Sequence, residues 1–552
     1  MLTLLAAIGI AITAADTTPA RRNDVLVEHL RNRIEAAGAS GAIDIGDDRV
    51  LATQALSRFY VGRLYRPAWV DSSGLSPRVG ALVQAVRGAA AEGLRPRDYH
   101  LDHILAAAAL VHRQTRERRP PDVAQLVDLD LLCTDAFVLL GSHYLAGRVN
   151  PETIDAEWSA NRRGAQLESV LESALAAGDI GEALRRLLPQ QPGYARLRDG
   201  LAQYRSLAAA GGWPSVPAGV RLAPLDRDST VPLLRSRLAL FDAVDRGAGA
   251  DPTLYDSTLV EAVRRFQVRH GLDVTGVVDS GTAAALNVPV EDRIRQIELN
   301  LERWRWLPED LGRRHVIVNI AGFDLDVVDA GSVVRSMRVM VGRTYRRTPV
   351  FSGMMTYLVL APYWHVPRNL AVQDQLPLIR RDAGHFATQG IRVFLGWGAD
   401  AEEIDPATVD WSKVTPRDFP YRLRQDPGPR NALGGMKFMF PNKFNVYLHD
   451  TPSRELFDRP QRDFSSGCIR IEQPIELAEF LLAGTEWTRE RLLTAITRRQ
   501  EQTVRLPSPV PVHILYWTAW AEPDGTIQFR HDIYDRDDRL AGALREDTPA
   551  DE

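Results

Sequence analysis

Tyr447-Leu448-His449-Asp450-Thr451-Pro452 and Phe464-Ser465-Ser466-Gly467-Cys468-Ile469-Arg470-Ile471 are the two stretches on which the reading of this chain turns. Both carry strand texture, so a histidine leaves one strand and a cysteine opens another after a glycine-bearing loop. A nucleophilic cysteine needs a base or an ion-pair partner before it can attack, and two neighbouring strands would bring His449 to Cys468. Gly467 lets the backbone turn tightly, so that adjacent N–H groups can face a developing oxyanion. Arg470 shares the cysteine's face of an extended segment, where it can favour a thiolate or hold a substrate carboxylate. The residues alone leave two other readings open. The cysteine and the histidine can each be structural, or Cys468 can pair with Cys133, the second cysteine of the chain. The pairing is disfavoured because Cys133 lies on the apolar face of a helix in another domain.

Composition narrows the chemistry further. The chain has 552 residues, 45% hydrophobic and 25% charged, with a formal net charge of −4. That length suggests about three or four globular domains, and the charge balance gives no case for a nucleic-acid partner. Two cysteines exclude a disulfide scaffold and a thiolate-only zinc site. Lysine occurs only at 413, 437 and 443. Ser412, Met436 and Asn442 precede these lysines, which excludes a Gly-Lys-Ser/Thr phosphate loop. Asp410, Gly434 and Phe440 stand three residues before them, which excludes a Ser-x-x-Lys acylase. No histidine is followed by glutamate, so there is no His-Glu-x-x-His zinc helix.

The chain divides by texture into a multidomain α+β protein. Leu2 to Ala15 is an apolar run ending in Thr13-Ala14-Ala15 before Asp16, like a secretory h-region and cleavage site, though without a basic segment in front. It is short of the roughly 20 residues a membrane span needs; the other reading is a buried N-terminal helix. Residues 1–20 are expected to be a signal peptide or an anchor. Residues 22–225 read as helical, with Leu126, Leu129, Leu132, Cys133, Ala136, Phe137 and Leu140 on one wide apolar face. A compact module follows over 228–290, where Leu259, Val263 and Phe266 mark a helix that ends at Gly271. A connecting helix occupies 291–311. Residues 312–545 are β-rich, interrupted at 370–430 by helical and Pro-rich pieces read as an inserted lid, and closed by a β pair joined at Asp524-Gly525.

Tyr447 to Pro452 with Phe464 to Arg470 resembles the signature of L,D-transpeptidases with the YkuD-type catalytic domain, and more closely its large YcbB-like branch. The likeness extends to Phe59-Tyr60, Tyr65-Arg66-Pro67-Ala68-Trp69, Gly147-Arg148-Val149, Asn300 to Trp306, Pro362 to Pro367 and Lys437 to Asn442. The 228–290 module resembles the small three-helix peptidoglycan-binding domain. Two positions depart from the wider family: Ser466 stands where most members have His, and Arg470 where many have Asn. Both are expected of the YcbB-like branch, and they leave His449 as the motif's single histidine.

The resemblance implies a helical scaffold, a peptidoglycan-binding domain and a β-rich catalytic domain. It implies a periplasmic enzyme, with the N-terminal segment cleaved or retained as an inner-membrane anchor. In the implied reaction Cys468 attacks a donor tetrapeptide stem at diaminopimelate, releases D-Ala and forms a thioester. An acceptor diaminopimelate amine then completes a 3→3 cross-link. His449 would be the base, oriented by the Asp450 backbone carbonyl. Gly467, Cys468 and Tyr447 would stabilise the oxyanion, and Trp364, Asn442, Ser466 and Arg470 would line the substrate groove. No metal or organic cofactor is needed, carbapenems should acylate Cys468, and other cell-wall synthases are implied partners. The same acyl-enzyme could serve a carboxypeptidase, a D-amino-acid exchanger or a protein-to-wall linker. An inactive binding scaffold is disfavoured by the presence of both His449 and Cys468.

Overall fold

The computed structural model describes residues 19–40, 42–159, 162–217, 219–244, 251–396, 398 and 400–545. The expected signal or anchor over 1–20 therefore lies almost wholly outside the described residues. Among these, no helix is long and apolar enough to cross a membrane.

Eight strands close a barrel in the C-terminal part. They are β1 (Arg314–Asn319), β2 (Asp324–Asp329), β3 (Ser332–Met340), β4 (Phe351–Leu360), β5 (Met436–Met439), β6 (Leu448–His449), β7 (Ile469–Ile471) and β8 (Gln502–Leu515). Around the barrel they run β5-β6-β7-β3-β2-β1-β8-β4. Most pairs are antiparallel, but β6–β7 and β8–β1 are parallel. The β8–β4 ladder shifts register between Arg505 and Val510, where Pro507 and Pro509 have no N–H to donate.

Strand alternation decides what the barrel shows to the outside. Phe438, Leu448, Ile469 and Ile471 belong to its apolar core, together with Val316, Leu325, Val339 and Ile514. Lys437, His449 and Arg470 alternate with these core residues and therefore face out.

The interruption between β4 and β5 differs from the expectation. It is a subdomain with its own four-stranded sheet, in the order 402–404, 391–395, 421–425, 364–365. Its sheet begins at Trp364 rather than 370, and its core includes Val366, Leu376, Phe386, Val393, Trp411 and Leu423. The strands escape a periodicity reading because they are short and their outward positions carry Arg392, Arg422 and Arg424. Asn431 closes the neck by donating to the carbonyls of Pro362 (3.0 Å) and Asp426 (3.1 Å).

The helical part is organised by α1 (Val123–Ala146), a helix buried nearly all round. Its two buried carboxylates hold surrounding backbone. Asp130 accepts N–H bonds from Ala68, Trp69 and Val70 and the hydroxyl of Tyr60. Asp135 accepts from Leu51 (3.1 Å) and Ala52 (2.8 Å). Cys133 is fully buried beside them and is a free thiol, as is Cys468.

Two further helices, α2 (Pro192–Ala209) and α3 (Val290–Arg305), join this part to the barrel. Glu302 on α3 accepts from the N–H groups of Arg148 (2.5 Å) and Val149 (3.1 Å), while Arg303 pairs with Asp537 at 2.6 Å. The closing β pair also differs from the expectation. Val512 to Leu515 belong to β8, and the hairpin is Ala519–Ala521 with Ile527–Phe529. That hairpin packs into the helical core rather than the barrel's, with Ile527 lying directly over Gly200 of α2. Between α2 and α3 the 228–290 segment folds around three helices, Val231–Leu238, Ser257–Arg269 and Ser280–Leu286. Asp256 and Asp279 cap the second and third.

His100 lies between Asp48 (Nδ1, 2.6 Å) and Asp135 (Nε2, 2.6 Å). Burial opposes its charge, but the hydrogen bonds and charges of Asp135 and Asp48 outweigh burial and raise its pKa above the ordinary histidine value. Because the folded state holds this proton more tightly, the stabilisation is complete below pH about 6.5 and is lost as pH rises through the raised value. The free energy of unfolding should therefore decline with pH above about 6.5 more steeply for the wild type than for His100→Gln. Parallel curves in denaturant titrations across that range would remove the assignment.

Candidate active site

The loop that presents Cys468 is pinned from beneath by the segment following β3. Ser465 donates its N–H to Val341 O (2.9 Å), and Arg343 N–H donates to Ser465 O (3.1 Å). The Thr348 hydroxyl donates to Gly467 O (2.9 Å) and accepts from Gly342 N–H (2.9 Å). Tyr534, near the C-terminus, donates to Gly342 O and accepts from Thr348 N–H. Gly342 has to be glycine, because a Cβ there would overlap the carbonyl oxygen of Arg346.

Gly467 adopts a φ of +112°, a conformation that suits glycine. The expectation for its N–H is corrected, since that group donates to Ser465 Oγ (3.1 Å) instead of facing the thiol. Ser465 Oγ sits inside the turn and in turn donates to Cys468 O (2.5 Å). Gly467 thus shapes the turn without supplying a free donor. The groups that face the sulfur are the backbone N–H and the phenol of Tyr447.

His449 is buried at the end of β6. Its Nδ1 lies 2.6 Å from the backbone carbonyl of Asp450. A carbonyl can only accept, so Nδ1 carries the proton and Nε2 keeps a free lone pair. The Asp450 carboxylate turns away, accepting from Gly435 N–H (2.7 Å) and pairing with Arg454 (2.9 Å). Burial, then the charge of Arg470, then that of Lys437 lower the pKa of His449 to about 3, against the Asp450 hydrogen bond. The imidazole is therefore neutral at physiological pH.

Cys468 is half-buried and its Sγ lies 3.8 Å from Asn445 O. Among the described residues no hydrogen bond joins it to His449. Burial raises the thiol pKa above its ordinary value, against the Tyr447 donors and the charge of Arg470. The resting pair is a neutral thiol and a neutral imidazole.

A cleft of about 940 Å³ lies between the barrel face and the inserted subdomain. Cys468, His449, Tyr447, Arg470, Ser466 and Trp364 all line it. Trp364 also packs against the subdomain's own core. Asn442 does not line the cleft. Its amide donates to Phe440 O (2.7 Å) and Val446 O (2.7 Å), and its oxygen accepts from Phe444 and Val446 N–H. With its hydrogen-bonding capacity spent on the loop, Asn442 shapes the turn that carries Asn445, whose φ is +55°.

The structure adds residues that the motif did not single out. Arg346 forms a two-pronged ion pair with Asp374 of the inserted subdomain (2.6 and 2.7 Å) and donates to Ser466 Oγ (3.0 Å). It thereby ties the subdomain to the cysteine loop. Lys437 lies beside His449 on β5. The scarcity of lysine and the Lys437 to Asn442 block of the resemblance are the sequence signals that point to it.

Three segments of the chain match known families. Residues 313–504 match the family described as "L,D-transpeptidase catalytic domain", residues 227–286 "Putative peptidoglycan binding domain" and residues 54–201 "Scaffold domain". A curated protein of Haemophilus influenzae named "Putative L,D-transpeptidase" is 35% identical over 246 residues, which is 45% of this chain and 49% of that protein. The chain thus spans about half the length of the curated relative it matches. Two solved structures share less. An L,D-transpeptidase from Mycobacterium smegmatis is 10% identical and covers 37% of this chain and 58% of its own, with a TM-score of 0.18. One from Xylanimonas cellulosilytica is 16% identical and covers 55% and 98%, also with a TM-score of 0.18. At that score neither bears on the fold. The chain thus combines segments similar to an L,D-transpeptidase catalytic domain, a putative peptidoglycan-binding domain and a scaffold domain.

The neutral resting pair has a kinetic signature. The rate of Cys468 alkylation by iodoacetamide should climb through neutrality and keep rising past pH 9 without levelling off. A plateau between pH 6 and 8 would indicate a thiolate–imidazolium pair instead.

Proposed function

We propose that the protein is an exported peptidoglycan L,D-transpeptidase of the YcbB-like branch, forming 3→3 cross-links between stem peptides through a thioester on Cys468. The reading is carried by one observation. A free cysteine thiol and a neutral, carbonyl-oriented histidine open on the same substrate-sized cleft of the matched catalytic domain. The peptidoglycan-binding domain supports a wall substrate, and the apolar N-terminal run supports export.

The chemistry follows from the two neutral groups. Sγ leaves the Asn445 carbonyl and passes its proton to Nε2 of His449 as it attacks the diaminopimelate carbonyl of a donor tetrapeptide. The Tyr447 phenol, which already faces the sulfur, stabilises the oxyanion. The tetrahedral intermediate collapses to a thioester, and the imidazolium returns its proton to the departing D-Ala amine. The neutral side-chain amine of an acceptor diaminopimelate then attacks the thioester. His449 takes the amine's proton and delivers it to the leaving thiolate, restoring the resting pair. The Asp450 carbonyl stabilises the transient imidazolium and keeps the imidazole in the required tautomer. Trp364 and Ser466 are proposed contacts of the bound stems.

Intact-protein mass spectrometry with a carbapenem tests the nucleophile. The wild type should gain one drug mass, Cys468→Ala none, and His449→Ala should acylate at least about 100-fold more slowly. A folded wild type that gains no adduct would sink the enzyme reading. Muropeptides from cells expressing the protein should contain 3→3 dimers; new tripeptides without dimers would reassign it as a carboxypeptidase.

A further inference from the structure

β5, β6 and β7 place three basic side chains in one row. Lys437 is the direct cross-strand partner of His449, and His449 is the direct partner of Arg470. Directly opposed residues have their Cβ atoms about 5 Å apart and project on the same face, and all three line the cleft. A histidine thus stands between two cations.

Neither cation is held in an ion pair, although the Glu501 carboxylate acts on Lys437 from a distance. Among the described residues, Lys437 and Arg470 have no ion pair and no side-chain hydrogen bond, and the Nε of Arg470 is buried without a partner. Three other cations that line the cleft, Arg343, Arg347 and Arg430, likewise have no ion pair among the described residues, whereas Asp374 on its wall is held by Arg346. Arg343 approaches Arg470 and adds like charge. Two partly desolvated cations without a direct ion-pair partner are unfavourable, and such a pair is suited to an anion that arrives with the substrate.

We propose that Lys437 and Arg470 jointly bind the C-terminal carboxylate of the donor stem beside His449, and so select donors that end one residue beyond the bond to be broken. The inference rests on the transpeptidase reading and assigns to Lys437 a role in donor selection. A terminal residue's carboxylate lies within a few bonds of the carbonyl that Cys468 attacks, and Arg470 is two residues from Cys468 on an extended strand. A longer stem would place a neutral amide where the two cations require an anion.

The arrangement has a second consequence. The groups facing His449 are Lys437 from β5, Arg470 from β7, and on its own strand the Tyr447 ring and the Asp450 carbonyl. The two cations are the charged groups that depress its basicity. A bound carboxylate screens both, so the base becomes stronger when the correct donor is in place.

The test measures release of the terminal residue from two synthetic donors, a tetrapeptide stem ending in D-Ala and the same stem ending in D-Ala carboxamide. The wild type should favour the carboxylate by at least about tenfold in kcat/KM. Lys437→Met should bring that preference to within about twofold, mainly by raising KM for the carboxylate donor, and Lys437→Arg should restore it. Calorimetry with Cys468→Ala should show the same preference in binding, and Cys468→Ala combined with Lys437→Met should lose it. Retention of the wild-type preference by a folded Lys437→Met, or equal use of both donors by the wild type, would overturn the inference. A wild type that releases D-Ala from neither donor and takes no carbapenem adduct would overturn the transpeptidase reading itself.

Discussion

The two-residue strand that ends at His449 is the constraint on which the site depends. It is hydrogen-bonded on both sides, to β5 and to β7, and its partners leave it one register. Leu448 points into the barrel core, so His449 must point out. A slip of one residue would bury an imidazole among Phe438 and Ile469 and put Leu448 in the cleft. Register is thus enforced by the apolar core, and the chemistry inherits its geometry from that core.

Around this strand the site is assembled from parts distant in sequence. Ser465 and Gly467 shape the turn before Cys468, but the turn itself is held by Gly342, Thr348 and Tyr534. The opposite wall of the cleft belongs to a subdomain with its own core, joined to the cysteine loop through Arg346, Asp374 and Ser466. The subdomain and the Cys468 loop are therefore tied by one network of an ion pair and a hydrogen bond. The catalytic barrel is likewise not separable from the helical part. Its last hairpin, with Ala519 and Ile527, completes the helical core, and α3 binds both parts through Glu302, Arg303 and Asn300.

The electrostatics follow from burial. In solution a histidine between an arginine and a lysine would be mildly depressed; buried as it is here, it is held neutral. The same desolvation keeps Cys468 protonated. Such a pair is unreactive toward solvent at rest and requires a bound electrophile for proton transfer to be worthwhile. A protonated resting thiol fits the proposed export, since a standing thiolate would be vulnerable in an oxidising compartment.

The local sequence singled out His449 and Cys468 as candidates through their strand-and-glycine context and the motif they resemble, and the structure brings both to one cleft. The capped helices of the 228–290 module and the alternating strands of the barrel were also legible, since their signals lie within a few residues. The absence of a Gly-Lys-Ser/Thr loop, a Ser-x-x-Lys motif and a His-Glu-x-x-His helix likewise needed only neighbours in the chain. Tertiary structure alone decided the rest. Gly467 lost its expected donor role to a serine two residues away, and Asn442 turned into its own loop, because hydrogen-bond partners are chosen in space. The inserted sheet was hidden by its arginine-rich outer face, and the closing hairpin left its barrel for the helical core. Lys437 became a neighbour of His449 only through strand pairing. Sequence spacing records what the chain can present, but which groups share a desolvated cleft is set by packing and register over long separations.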